Sequence, residues 1–202
     1  MPTSETAPSA DTAQKILTAM LPIADQSGWT TSTYDQAVTA SGVSASDAAQ
    51  ALPEGLRSLL PYYIGHVTER LKTEMAALDL ASMRIRDRAT AGVRIFLEIL
   101  SEHHSASVKA LDWLTIRPTG PLPMTELVWS VADRIWVSLG DDATGFTYAS
   151  KRTTLSGVIG STLAVWRTDE AGSEWPDFLD RRIENVMAFE AFKAKFKMPF
   201  PA

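Results

Sequence analysis

Glu102, His103 and His104 are the densest group of general acid–base and metal-ligand side chains in the chain, which has three histidines in 202 residues. Metal binding or proton transfer needs such side chains to converge on one point. Adjacent histidines on a helix diverge, and no carboxylate or third histidine follows at a helical ligand spacing. The sequence therefore predicts a solvated helix end, with the imidazoles favourably placed at the C-terminal dipole. His66 stands alone and reads as a core or rim residue. Asp141 and Asp142 follow Gly140 in a predicted turn, where an N-cap for the next helix is a better reading than an acid–base pair. There is no cysteine, no glycine-rich phosphate loop, no G-x-S-x-G and no H-E-x-x-H. The chain is predicted not to be an enzyme, with no catalytic residues, no metal and no cofactor.

The C-terminal half carries aromatic and aliphatic bulk instead. Trp113, Trp129, Trp136, Trp166 and Trp175 lie there with Phe146 and Tyr148. Trp129 and Trp136 are seven apart, on one helix face. Leu155, Val158, Ile159, Thr162 and Trp166 make the next stripe, beside the small residues Gly157, Ser161 and Ala164, which let a helix or a ligand approach the backbone. Two readings stay open: a filled core, or an aromatic-lined cavity for a hydrophobic ligand. The cavity reading assigns Trp113, Trp129, Leu139, Tyr148, Leu155, Val158, Ile159, Thr162 and Trp166 to lipid binding. The last helix places Phe189, Phe192 and Phe196 on one face, with Lys193 and Lys197 among the lysines beside them. It reads either as a membrane-surface helix or as a terminal helix docked on the core.

The elements that would position these residues are all helical. Apolar residues recur at 3.6-residue spacing throughout, with no convincing alternating strand. The fold class is all-α, with about nine helices. Residues 1–10 read as a disordered lead-in, 11–53 as a helix-turn-helix-like subdomain, and 54–202 as a helical ligand-binding and dimerisation domain. The longest uncharged run, Thr153 to Trp166, falls short of the roughly 20 residues of a membrane span. A net charge of -5 gives no global attraction to nucleic acid or anionic lipid. The N-terminus resembles neither a secretory nor a transit signal, so the expected location is cytoplasmic.

The stretch "AVTASGVSASDAAQALP" resembles the helix-turn-helix of TetR-type regulators, with Gly42 in the tight turn and Val43 expected to plug the space between two helices. Between Lys15 and Arg57 there is no basic residue, while Asp25, Asp35, Asp47 and Glu54 are acidic. Phosphate neutralisation supplies most non-specific DNA affinity. No nucleic-acid partner is expected, and the motif reads as a retained scaffold.

"DRIWVSLGDDATGF", "SKRTTLSGVIGSTLAVW" and "FLDRRIENVM", with "SMRIRDRATAGVRIFLE" upstream, resemble the ubiquinone-biosynthesis accessory (Coq-nine) family. The resemblance runs from about Ser82 to Lys195. It implies a TetR-like all-α bundle with a degenerate helix-turn-helix, a pocket for an isoprenoid lipid or quinone precursor, and homodimers. It further implies peripheral association with the inner membrane through a C-terminal helix, where Phe189, Phe192, Lys193, Phe196 and Lys197 fall, and presentation of the lipid to a demethoxyubiquinone hydroxylase. By position, Ile135 and Trp136 fall where the family exposes a patch to that hydroxylase, and Tyr148 and Arg152 join them as partner-binding candidates. Gly140 and Asp141 match the family's Gly-Asp, and Lys151 and Arg152 its basic pair. Gly145 stands where the family commonly has Asp, and Tyr148-Ala149 where it has Trp-Tyr. The expected function is thus a non-enzymatic lipid-binding accessory protein. The alternatives are a TetR-type ligand-responsive regulator and an unrelated helical interaction module.

Overall fold

The computed structural model describes residues 6–116 and 124–195, with side chains at 9–113 and 124–188. Among them every regular element is helical, as the periodicity predicts: α1 (Thr6–Ser27), α2 (Thr31–Ser41), α3 (Ala45–Ala51), α4 (Leu56–Ala76), a 3₁₀ turn (Leu80–Ser82), α5 (Ile85–Ser101), α6 (His104–Ile116), α7 (Met124–Ser138), α8 (Gly145–Trp166) and α9 (Trp175–Lys195). Contacts group the chain into two units, Met1–Arg70 with Ile99–Leu127, and Leu71–Glu98 with Val128–Ala202. The boundary falls inside α4, α5 and α7, and Pro53 lies within the first unit.

In the first unit, α1 buries Ala13, Ile16, Leu17, Met20 and Ala24 along one stripe. It begins at Thr6, inside the stretch read as a lead-in. Ala7 and Ala10 favour helix, and Pro8 falls in the first turn, where its missing N–H breaks no intrahelical bond. Thr30 and Thr33 form a reciprocal capping box that opens α2. Gly42 closes α2 at φ 69°, and Ser44 caps α3 by accepting from the Asp47 N–H at 3.1 Å. The turn between the two short helices is thus specified at both ends by local chemistry. Val43 is only half-buried; Ala48 and Leu52, rather than Val43, fill the space behind the turn.

The histidine pair is not in the C-terminal turn of a helix. α5 stops at Ser101, and His104 opens α6. Asp25 reaches across from α1. Its Oδ1 accepts from the Ala106 N–H at 2.8 Å, and its Oδ2 lies 2.6 Å from His103 Nδ1. A carboxylate capping the first turn of α6 is what the helix dipole favours there. Glu102 pairs with Arg70 at 2.6 Å, which holds its carboxyl below the usual range. Close by, the buried Tyr63 hydroxyl bonds Ser107 at 2.7 Å, and burial pushes its pKa up to about 12.

In the second unit the core is built from Val93, Phe96 and Leu97 of α5, Val131, Ala132 and Ile135 of α7, Leu155, Ile159, Leu163 and Trp166 of α8, and Trp175 and Leu179 of α9. Asp169 ties the α8–α9 turn, accepting from the N–H groups of Ser173, Glu174 and Trp175 at 3.2, 2.7 and 2.9 Å. Gly92 gives α5 and α7 their close approach: a Cβ there would come within 2.9 Å of the Ile135 side chain.

Candidate functional site

The Gly140-Asp141 pair ends α7 by backbone geometry. The Asp141 N–H donates to Trp136 O at 3.0 Å and the Gly140 N–H to Val137 O at 3.0 Å. This is a Schellman ending, which requires the left-handed φ of 74° that Gly140 adopts. The reversal turns Asp141 back towards α8, where both members of the Lys151-Arg152 pair meet it. Asp141 is therefore not the N-cap of α8. That position belongs to Thr144, which makes no side-chain cap bond.

Asp141 and Arg152 are 4% and 1% exposed, so their pairing decides whether either can be charged. Arg152 Nη1 donates to Asp141 Oδ2 at 2.9 Å, and its Nε donates to Asp133 Oδ1 at 2.6 Å. Lys151 Nζ donates to the other Asp141 oxygen at 2.5 Å. Tyr148 donates its hydroxyl to Asp133 at 3.1 Å and lays its ring 3.5 Å under the Arg152 guanidinium. Two carboxylates and two cations thus neutralise one another, as buried charges must. Hydrogen bonds from Lys151 and Arg152 hold the Asp141 carboxyl below the usual aspartate value. Burial works against the charge of Arg152, but Asp133 and Asp141 outweigh it and raise its pKa. The cluster fixes α7 to α8. Its groups are mutually satisfied and offer no nucleophile or general base.

Beside this cluster lies a cavity of about 460 Å³, open to solvent on one side, lined by residues of α5, α7, α8 and α9. That volume lies within the range of small-molecule sites. From α8 come Phe146, Thr147, Ser150, Lys151, Thr154, Leu155 and Val158; from α9 come Ile183, Val186 and Met187; Ile85, Arg86, Ala89 and Trp136 complete it. Its mouth is unusually apolar: Ile85, Phe146 and Met187 are 52%, 87% and 43% exposed. Lys151 lies 5.1 Å over the Trp136 ring, whose Nε1 donates to Lys151 O at 3.3 Å.

The sequence candidates separate accordingly. Leu155 and Val158 line the cavity. Ile159, Thr162 and Trp166 are 0% exposed and belong to the core. Trp129 is partly exposed and lines a second surface hollow on α7 with Asp133, Arg134 and Val137. Leu139 is half-buried at the end of α7, and Trp113 lies in the first unit. Tyr148 serves the ion cluster. Ile135 is 0% exposed, so it is no part of an exposed patch; its side chain fills the space left by Gly92. Arg152 is likewise enclosed, while Trp136 is half-buried at the cavity wall. Phe189, Phe192, Lys193, Phe196 and Lys197 lie outside the described side chains. Sequence reasoning missed Arg86, Thr147, Ser150, Thr154, Ile183 and Val186. The signal was present: positions 147, 150, 151, 154 and 158 share one face of α8, adjacent to the stripe that the larger residues mark as core.

Comparison with known proteins bears on the same segment. Residues 123–190 match the COQ9 family model, and every charged member of the α7–α8 cluster lies within them. The resemblance to COQ9 holds. Two relatives, both named ubiquinone biosynthesis protein COQ9, mitochondrial, come from Rattus norvegicus and Bos taurus. The first is 26% identical over 190 residues, covering 86% of this chain and 58% of the relative. The second is 25% identical over 183 residues, covering 85% and 54%. The chain spans little more than half the length of either COQ9 relative. The Gly-Asp and Lys-Arg motifs lie within the matched segment, as the Schellman ending and the cations it meets. Gly145 opens α8 at φ 58°, a left-handed conformation that glycine adopts without steric cost. Among the described residues no helix is long and apolar enough to cross a membrane.

Proposed function

We propose that this protein is a non-enzymatic lipid-binding accessory protein of ubiquinone biosynthesis, which holds an isoprenoid quinone precursor in the cavity bounded by α5, α7, α8 and α9. The observation that carries the reading is that cavity, with Phe146 exposed at its mouth. The names of the COQ9 relatives supply the pathway. Each methylene taken out of water contributes about 0.8 kcal/mol, so an apolar recess of this kind competes with a bilayer for a prenyl chain. In this reading the protein works as a homodimer at the periphery of the inner membrane and presents its lipid to a quinone hydroxylase. A ligand-responsive DNA-binding regulator is disfavoured by the first unit, whose α2 and α3 carry Asp35 and Asp47 and no basic residue.

Mild organic extraction of the purified protein, followed by mass spectrometry, tests the reading. A stoichiometric isoprenoid quinone or precursor is expected, and Thr154→Trp, which fills the recess from its wall, should empty it. A protein that carries no such lipid and takes up no added quinone overturns the proposal.

A further inference from the structure

The polar side chains on the cavity wall are Arg86, Trp136, Thr147, Ser150, Lys151 and Thr154. Three of them are already engaged. Arg86 Nε donates to Asp87 at 3.1 Å, Lys151 Nζ to Asp141 at 2.5 Å, and Trp136 Nε1 to the Lys151 carbonyl at 3.3 Å. The hydroxyls of Thr147, Ser150 and Thr154 form no hydrogen bond among the described residues. They are not stranded in the core either: among the described residues the buried hydroxyl without a partner is that of Ser156.

Position, rather than residue type, sets these three apart. Further along α8, Ser161 donates to Gly157 O and Thr162 to Val158 O, both at 2.8 Å, the bond to the preceding turn that a helical hydroxyl commonly makes. Ser150 and Thr154 have the same kind of carbonyl four residues back and leave it unused. Positions 147, 150 and 154 fall on one face of the helix, over about 10 Å of its length. Around them the wall is aliphatic, with Leu155, Val158, Ile183 and Val186.

In an open cavity such hydroxyls are satisfied by water. A hydrocarbon chain laid across them would remove that water and replace none of its bonds, whereas an oxygen-bearing group replaces them. A hydroxyl can donate to a carbonyl or methoxy oxygen and accept from a phenol. It does so without bringing an unpaired charge into the cavity.

We propose that Thr147, Ser150 and Thr154 form a hydroxyl ladder that binds the oxygen-substituted ring of a neutral prenylated ligand, leaving its chain to the apolar wall and mouth. The inference rests on the lipid-binding reading above. It fixes the orientation of the ligand, with the ring over the first turns of α8, and makes these three hydroxyls the determinants of ring specificity.

Equilibrium dialysis of the full chain tests it with two neutral probes of equal chain length, decylubiquinone and decylbenzene, which carry a ring with and without oxygens. The variants are Thr147→Val/Ser150→Ala/Thr154→Val, which removes the hydroxyls at nearly constant shape, and Thr154→Trp, each checked for helicity. Wild type should bind the quinone more tightly. The triple variant should lose at least about tenfold for the quinone, as expected for the loss of two or more neutral hydrogen bonds, and keep or improve its binding of decylbenzene. Thr154→Trp should weaken both probes. Quinone binding unchanged in the triple variant, with Thr154→Trp weakening it, would overturn this inference and leave the lipid reading standing. Equal losses for the two probes would overturn it as well, since the side chains would then act through packing. Failure of both probes to bind wild type would overturn the lipid reading and this inference together.

Discussion

Arg152 spans the α7–α8 turn to Asp141, Nη1 to Oδ2 at 2.9 Å, while its Nε holds Asp133 on α7 at 2.6 Å. One side chain thus fixes both the helix that ends and the turn that follows. Lys151, its neighbour, closes the second Asp141 oxygen and covers Trp136. The cavity wall formed by Trp136 and Lys151 is therefore positioned by the ion cluster to which Lys151 itself belongs.

Removing Arg152 leaves the buried Asp141 with Lys151 alone and Asp133 with only the Tyr148 hydroxyl, and breaking a buried ion pair from one side typically costs about 3 kcal/mol or more. Arg152→Met is expected to destabilise the fold by about 3 kcal/mol, and Asp141→Asn by less, because an amide can still accept one bond. Denaturant unfolding checks both. The double variant Arg152→Met/Asp141→Asn should cost clearly less than the two singles summed. Strict additivity would mean that the pair is not coupled.

The same cluster makes stability depend on acid. The Asp141 carboxyl titrates below its ordinary value because Lys151 and Arg152 hydrogen-bond it. A depressed carboxylate stabilises the fold fully above the unfolded-state pKa, about 3.9, and loses that contribution as pH falls through the folded-state value. The stability gap between wild type and Asp141→Asn should accordingly be constant near neutrality and narrow below about pH 4. A gap unchanged down to pH 2.5 would contradict the assignment. Urea melts at a series of pH values measure it.

Two glycines act by different physics, and substitution separates them. At Gly140 an added Cβ meets nothing within 4 Å, so Gly140→Ala should cost only the strain of its left-handed backbone, about 1–2 kcal/mol. At Gly92 the added Cβ would sit 2.9 Å from two Ile135 carbons, so Gly92→Ala overpacks the α5–α7 crossing by about 1–3 kcal/mol. Pairing each with Ile135→Ala distinguishes them in thermal unfolding. The methyl at position 92 then fills space, and that double variant should be less damaging than additivity predicts, while the Gly140 double should be additive.

Helix identity was legible because the period of burial is written along each segment, and the caps at Thr30, Gly42 and Ser44 mark the ends of α2 and α3 in local sequence. What was not legible depended on contacts distant in the chain. Asp25 caps α6 from 81 residues away, so the histidines beside it looked like the end of α5. Ile135 is an exposed candidate by the resemblance alone, and nothing in its own helix reveals Gly92 across from it. On α8 the larger side chains at 159, 162 and 166 drew the binding stripe to the core. The smaller, partly polar 147–150–154 face lines the cavity because a ligand needs room that bulky residues would fill. The motif Gly140-Asp141 with Lys151-Arg152 was visible as a pattern; its role as a backbone ending joined to an ion cluster required the turn to be seen closed.

Phe146 tests whether the mouth of the cavity is a binding surface or incidental exposure. Its ring is 87% exposed, so it contributes little to the folded core, and surface substitutions of that kind change stability by within about 0.5 kcal/mol. Phe146→Ser should melt with wild type. If the ring covers a bound prenyl chain, losing it returns apolar ligand surface to water at about 25 cal/mol per Å², and even a modest patch then weakens retention several-fold. Lipid content by mass spectrometry after extensive dilution should therefore fall in Phe146→Ser, and Phe146→Leu should retain most of it. Unchanged content in both variants would move the ligand away from the start of α8 and leave the exposed ring to a protein or membrane contact.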